Sequence, residues 1–230
     1  MRILVLNGSP KAQKSDTMCI TRAFLEGLNE YGRNEVGIVD VIRRKIRPCT
    51  GCFTCWYSEE QRCPQQDDMP GILNAVLAAD LLIWSFPLYY YGMPSHCKAA
   101  LDRMLPLVSM KMEPAKDGVT HVARHDFSQK RYLLISGCGF PDFENHFQSL
   151  LLQFQHLYGD RLTALTIPES PMFHVPSAAP VTEPFLEKVK AAGSEYGETG
   201  ELSAETKARL HVPMIPNDVY LQIVNSQAMN

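Results

Sequence analysis

Cys49, Cys52, Cys55 and Cys63 follow one another as Cys-x2-Cys-x2-Cys-x7-Cys. Four thiols in so short a stretch can converge on one centre. Thiolates suit iron–sulfur clusters and zinc alike, because both accept a tetrahedral set of sulfurs. The same residues also serve as structural or redox thiols, with Phe53 and Trp56 anchoring the loop. We rank that reading first, an iron–sulfur cluster second and zinc third.

A second constellation opens the chain. An apolar run, Ile3-Leu4-Val5-Leu6, stops at Asn7-Gly8. A polar loop follows with Ser9, Lys11, Lys14, Ser15, Asp16 and Thr17. Then Met18, Ile20, Phe24, Leu25 and Leu28 mark the apolar side of a helix. A buried strand that feeds a helix through a small polar loop presents free N–H groups and the positive end of a helix dipole, which is a phosphate cradle. Both G-x-G-x-x-G and G-K-[ST] are absent from this loop, so it suits a single terminal phosphate held by hydroxyls and amides.

Two further loops face the same way. Pro87, Leu88, Tyr89, Tyr90, Tyr91, Gly92 and Met93 combine aromatic wall with close backbone approach, which is what a flat heteroaromatic ring needs. Ser136, Gly137, Cys138, Gly139 and Phe140 supply a third wall, in which the glycines face the ligand and Cys138 lines it without reacting. His121 and His125 are four apart and would share a helix face, but no acidic partner completes a metal motif there. No Gly-x-Ser-x-Gly elbow is present.

The elements that must position these loops are legible in outline. Strands are expected over residues 2–6, 35–42, 81–86, 131–136 and 162–167, and helices over 18–28, 71–79, 94–105 and 143–158. Residues 43–69 read as irregular and 106–130 as mixed. Strands that alternate with helices, each strand an unbroken apolar run, imply an α/β fold with a parallel sheet covered on both faces. Five such units fit the flavodoxin-like order 2-1-3-4-5, with the ligand crevice between the first and third strands. We divide the chain into a domain over residues 1–167 and a C-terminal extension over 168–230. Five prolines from Pro168 to Pro184 break that extension, and helices are expected over 183–192 and 203–210. It packs on the core or on a second subunit.

The chain has 230 residues with 45% hydrophobic and 20% charged content, as a soluble globular protein has. A net charge of −3 offers no basic surface for nucleic acid. No apolar stretch approaches a membrane span of about 20 residues, and the N-terminal run is too short for a signal peptide. The expectation is a cytoplasmic protein whose seven cysteines are reduced or metal-bound.

Four motifs, NGSPKAQKSDT, PCTGCFTCW, Asp67-Asp68-Met69 and PLYYYGMPSHCKAALDR, resemble in this order the flavodoxin-like NADPH-dependent FMN reductases. They are most similar to the branch related to iron–sulfur flavoproteins. The resemblance covers residues 1 to about 167. It implies that Ser9, Lys11, Ser15, Asp16 and Thr17, with Met18 beside them, hold the FMN phosphate. The loops from Pro87 to Met93 and from Ser136 to Gly139 would hold the isoalloxazine ring. The four cysteines would carry a [4Fe–4S] cluster, although relatives of the reductase type bear similar cysteines without one. One departure stands out: Asp16 occupies a position where such proteins usually have a neutral residue, often Asn. A carboxylate near a phosphate is adverse unless Lys11 or Lys14 offsets it or it turns to cap the helix.

The function so implied is an FMN-dependent NAD(P)H oxidoreductase that passes electrons to a quinone, a flavin or another small-molecule acceptor. The flavin carries the chemistry, so no catalytic side chain is named, and the tyrosines stand closest to the reacting ring. The first alternative is an iron–sulfur flavoprotein electron carrier, the second a flavin-binding regulatory protein without turnover. The aromatic loop and the proline-broken tail both call for a homodimer.

Overall fold

The computed structural model describes residues 1–115 and 118–228. Five parallel strands form the central sheet: β1 (Arg2–Asn7), β2 (Glu35–Asp40), β3 (Leu81–Pro87), β6 (Arg131–Gly137) and β7 (Leu162–Ile167). Their order is β2-β1-β3-β6-β7, which among these five strands is the expected 2-1-3-4-5. Between β3 and β6 an antiparallel hairpin, β4 (Val108–Ala115) and β5 (Gly118–Ala123), stands apart as its own two-stranded sheet. Residues 106–130, expected only as mixed, therefore contain regular structure. His121 lies in a strand, not on a helix, and its ring packs 4.9 Å from that of Trp56.

Successive strand residues feed two separate cores, because side chains alternate across a sheet. Ile3, Val5, Leu81, Ile83, Leu133 and Ile135 face α1 (Asp16–Leu28) and α6 (Ala179–Thr199). Leu4, Leu6, Leu82, Trp84, Phe86 and Leu134 face α3 (Met69–Ala78), α4 (Ser95–Asp102) and α5 (Gln148–Tyr158). Trp84 is fully buried, and its indole N–H donates to Tyr158 at 2.9 Å, which satisfies the one polar atom of that ring.

The segment after Pro168 enters this architecture through α6. Phe185, Val189, Ala192 and Tyr196 lie in the same core as β1 and α1. Two glycines bring the helix backbones together: a Cβ on Gly27 would sit 1.9 Å from the Lys190 carbonyl oxygen, and one on Gly193 2.0 Å from that of Phe24. The helix is longer than the expected 183–192: Pro180 falls in its first turn, where no N–H is needed, and Pro184 lies inside it, where packing on α1 offsets the lost bond. Helix α5 starts later than residue 143, at Gln148. Two short elements complete the chain, α7 (Ala204–Leu210) and α8 (Asn217–Ala228), the second of which carries no sequence pattern that announces it.

Candidate functional site

The carboxyl ends of the parallel strands lie along one edge, and hydrogen bonds stitch their loops together in sheet order. Gly8 N–H donates to the Ser85 carbonyl (2.8 Å), Leu88 N–H to Gly137 (2.8 Å) and Cys138 N–H to Ile167 (3.0 Å). The three loops expected to share a crevice are thus neighbours, joined by a fourth that follows β7.

The first loop is built from its start. Asn7, fully buried, donates to Asp40 at 2.8 Å and accepts the Ser9 N–H at 3.1 Å. His96 Nε2 lies 2.7 Å from the Gly8 carbonyl oxygen. Gly8 has no room for a side chain, since a Cβ would fall 1.9 Å from Cys97 Sγ. The side chains of Ser9, Ser15 and Thr17 are all buried in this loop. Ser9 Oγ accepts the Lys11 N–H at 3.3 Å, and Ser15 Oγ lies 3.2 Å from Thr17 Oγ1. Ser15 is the N-cap of α1 and accepts the Met18 N–H at 3.2 Å. Asp16 and Thr17 carry first-turn N–H groups that no carbonyl of the helix can reach.

Two expectations need adjustment here. Met18 does not face the loop: its side chain is in the core and its N–H is spent on the cap. Asp16 does not cap the helix; Ser15 does. The Asp16 carboxylate lies 3.8 Å from Lys11 Nζ and 3.2 Å from His174 Nε2, without hydrogen-bond geometry at Oδ1. His174 comes from the loop after β7 and has no signal in the sequence.

The tyrosine loop is outward. Tyr90 is 102% exposed and Tyr89 and Tyr91 are each about half exposed. Tyr90 and Tyr91 both adopt left-handed backbone, closed by reciprocal Tyr89–Gly92 hydrogen bonds of 2.9 and 3.0 Å. Leu88 and Met93 pack inward, while Pro87 ends β3. Tyr91 stacks on Phe140 at 6.0 Å, and Phe140 on His146 at 3.9 Å, so an aromatic ladder joins this loop to the wall after β6. Phe140 is the last residue of the loop read as the third wall. Ser136 and Cys138 are buried beneath it, with Ser136 Oγ unpartnered among the described residues. Burial pushes the Cys138 thiol up to about 11, so it is a neutral lining group at pH 7. Gly139 completes the wall, whereas Gly137 does not face an open crevice: it is buried, and a Cβ there would lie 2.7 Å from Ser170 Oγ, whose residue's N–H donates to the Cys138 carbonyl at 2.9 Å.

The cysteine loop is a separate structure on the α4 side of the sheet. A buried ion pair holds it: Arg103 Nη1 donates to Asp67 at 2.6 Å and to the Arg47 carbonyl at 2.8 Å. Their side chains are 1% and 2% exposed. Burial would raise the Asp67 carboxyl, but hydrogen bonds from Arg103 and from the Arg47 and Met69 N–H groups hold it below the ordinary range. Cys49 and Cys52 are exposed, Cys63 is half-buried and Cys55 is buried in the short helix α2 (Thr54–Tyr57). Hydrogen bonding from Thr54 and Thr50 lowers the Cys52 thiol to about 7, while burial, then the nearby Cys63, raises Cys55. Trp56 donates to the Leu105 carbonyl at 3.2 Å, and Arg124 Nη2 donates to the Cys55 carbonyl at 3.3 Å, so the hairpin braces this loop. Among the described residues no three His, Cys, Asp or Glu side chains are arranged to hold a metal ion.

Comparison with known proteins fits this geometry. An iron–sulfur flavoprotein of Methanocaldococcus jannaschii is 32% identical over 107 residues, 46% of this chain and 53% of that protein. One from Archaeoglobus fulgidus is 34% identical over 106 residues, 46% of each. The chain thus spans about half the length of the curated relatives it matches. Among solved structures, an FMN-dependent NADH-azoreductase of Bacillus anthracis superposes with a TM-score of 0.62 at 13% identity, covering 85% of this chain and 99% of that one. An NAD(P)H:quinone oxidoreductase of Methanothermobacter marburgensis does so with 0.61 at 18%, covering 85% and 96%. At such identities the likeness is one of fold. A family model for the flavodoxin-like fold matches residues 1–165, and with the sheet order and the loop at the start of α1 it places this chain in the flavodoxin-like fold family.

Proposed function

We propose that the protein is an FMN-dependent NAD(P)H oxidoreductase. The observation that carries this reading is the buried hydroxyl trio of Ser9, Ser15 and Thr17 at the N-terminus of α1, beside the aromatic and glycine loops after β3 and β6. That donor set fits a single phosphate: hydroxyls and first-turn N–H groups converge, and no glycine-rich loop widens the site for a pyrophosphate. Ser9, Lys11, Ser15 and Thr17 would hold the phosphate, with Asp16 the one opposing charge. Tyr89, Tyr91, Gly92, Gly139 and Phe140 would border the ring.

When bound, FMN supplies hydride acceptance from a nicotinamide nucleotide and electron delivery to an acceptor. The protein's own part is binding and exclusion of water. The neutral Cys138 thiol and the buried β6 terminus make the floor apolar, and the outward tyrosines offer flat surface to a planar substrate. A quinone, a flavin or another small planar molecule is the acceptor class. The relatives named for NADH-azoreductase and quinone reductase activity support this reading.

We also propose a homodimer that covers the tyrosine loop. The exposure of Tyr90, and separately of Met110, Met112 and Val119 on the hairpin, supports it, since aromatic residues and Met are enriched at interfaces. Light scattering at micromolar concentration tests it, and a monomer mass with FMN bound would end the idea. We place the protein in the cytoplasm, where its thiols stay reduced; no helix of the described residues is long and apolar enough to cross a membrane.

The test of the main reading is release of the bound ligand by heat, its identification by chromatography, and steady-state NAD(P)H oxidation with a quinone. FAD, or no flavin after reconstitution, overturns it. The names of the curated relatives favour a second reading, an electron carrier with a [4Fe–4S] cluster on Cys49, Cys52, Cys55 and Cys63. The side-chain arrangement does not assemble such ligands, so no step is derived through a cluster. Iron and acid-labile sulfide after anaerobic purification decide between the two.

A further inference from the structure

The last helix, α8, is an odd element. Of its side chains from Asn217 to Ser226, only Tyr220 is buried, at 4% exposure. Val219, Leu221, Ile223 and Val224 are exposed. A twelve-residue helix is marginal by itself in water, and one buried ring is slender anchorage.

That ring sits at the crevice. A Cβ placed on Gly139 would lie 4.0 Å from Tyr220 Oη. Burial raises the phenol, and the nearby carboxylates of Glu169 and Asp16 add to it, so it lies near the loop after β7 and the start of α1. Its hydroxyl makes no hydrogen bond to a described residue and, unlike the ring, is not fully buried, so it is open to a partner beside Gly139. The chain leading to it is tied to the same wall. Glu169 donates its own N–H to the Phe140 carbonyl at 2.9 Å. Its fully buried carboxylate accepts the Met214 N–H at 2.5 Å and also that of Ile215, and its second oxygen has no partner. Asn217 donates to Asp142 at 3.1 Å, and the His211 ring packs 3.9 Å from Phe143.

We propose that residues 211–228 form a lid on the flavin crevice, latched by Glu169, and that Tyr220 is a ligand-binding residue presented by that lid. The inference rests on the FMN reading above. The polar ties of residues 211–217 run to loops that wall the crevice, Met214 packs against the α1–α6 core, and α8, which buries only Tyr220, opens at small cost. Ligand entry requires the lid to lift. Ligand retention benefits from Tyr220, whose hydroxyl lies beside Gly139 in the wall.

The test uses the full chain loaded with FMN. Release of FMN is followed by the recovery of its fluorescence on dilution, for wild type, Tyr220→Phe and Tyr220→Ala. Loss of one aromatic contact and one hydrogen bond should speed release about tenfold in Tyr220→Ala, and about threefold in Tyr220→Phe. Independently, chymotrypsin should cut wild type after Tyr220 more slowly when FMN is saturating, as read by mass spectrometry. An unchanged release rate in a folded Tyr220→Ala overturns the proposal. If that variant does not fold, the wild-type digest decides, and equal or faster cleavage with FMN overturns it. A wild type that binds no FMN brings down the flavin reading itself, whereas tight binding with an indifferent tail removes only the lid.

Discussion

Asp16→Asn should move ligand affinity and stability in opposite directions. The carboxylate stands at the first helical position of α1, where a negative charge complements the helix dipole at about 0.3–1 kcal/mol. Its neighbours add little: Lys11 is mostly exposed at 3.8 Å, and such a pair contributes about 0–1 kcal/mol. His174 at 3.2 Å contributes only when protonated. Removing the charge should therefore cost about 0.5–1.5 kcal/mol in urea unfolding. Against a phosphate dianion the sign reverses. A unit charge near another contributes about 1 kcal/mol with water-like screening and about 4 at an effective dielectric of 20. Asp16 is only partly exposed and Lys11 offsets part of its field, so relief of about 1–2 kcal/mol is expected, roughly five- to thirtyfold tighter FMN. Titration of FMN fluorescence quenching measures it, with riboflavin as the control that lacks the phosphate. The gain should appear for FMN and vanish for riboflavin. Equal shifts for both, or weaker FMN binding, would refute the placement of the phosphate at the start of α1.

Ser9→Ala combined with Thr17→Ala should weaken FMN a hundredfold or more, since each charge-assisted hydroxyl contact contributes about 1.5–3 kcal/mol, and an unchanged dissociation constant would reject the cradle. Arg103→Met should cost about 3–5 kcal/mol in unfolding free energy by leaving Asp67 buried and unpaired, and should raise the reactivity of the buried Cys55 toward a thiol reagent; a loss under about 1 kcal/mol contradicts the buried clamp. In wild type the Asp67 contribution is present above the ordinary carboxylate pKa and is lost as pH falls through its depressed value. Glu169 has the opposite sign. Burial raises it, so the stability its proton brings is complete below about pH 4.5 and lost as pH rises through the raised value. Glu169→Gln should flatten that part of the profile of urea stability between pH 4 and 8, and parallel profiles for the two proteins would exclude the effect.

The sequence alone determined the sheet and the loops that end its strands. Ile3 to Leu6, Leu81 to Trp84 and Tyr132 to Ile135 are apolar without a break, and only strands buried on both faces tolerate that. The alternation with helices then leaves few topologies, and the loop at Ser9 to Thr17 must fall at the switch point. These are local signals, carried by consecutive residues. The loop hydroxyls and the outward tyrosines were legible for the same reason.

What tertiary structure decided arrives from a distance. His174 reaches Asp16, Glu169 reaches Met214, and Arg103 reaches Asp67 across gaps that no period in the chain encodes. Met18, legible in the sequence as the apolar side of α1, is buried in the core, which overrides the place beside the phosphate that the resemblance implied. Glu169 and Tyr220 look like ordinary residues of a proline-broken tail. They matter only once α6 has packed on α1 and returned the chain to the crevice. A contact between residues far apart along the chain depends on how the intervening elements pack, and packing is settled by the sum of many burials, not by the identity of the two residues that finally meet.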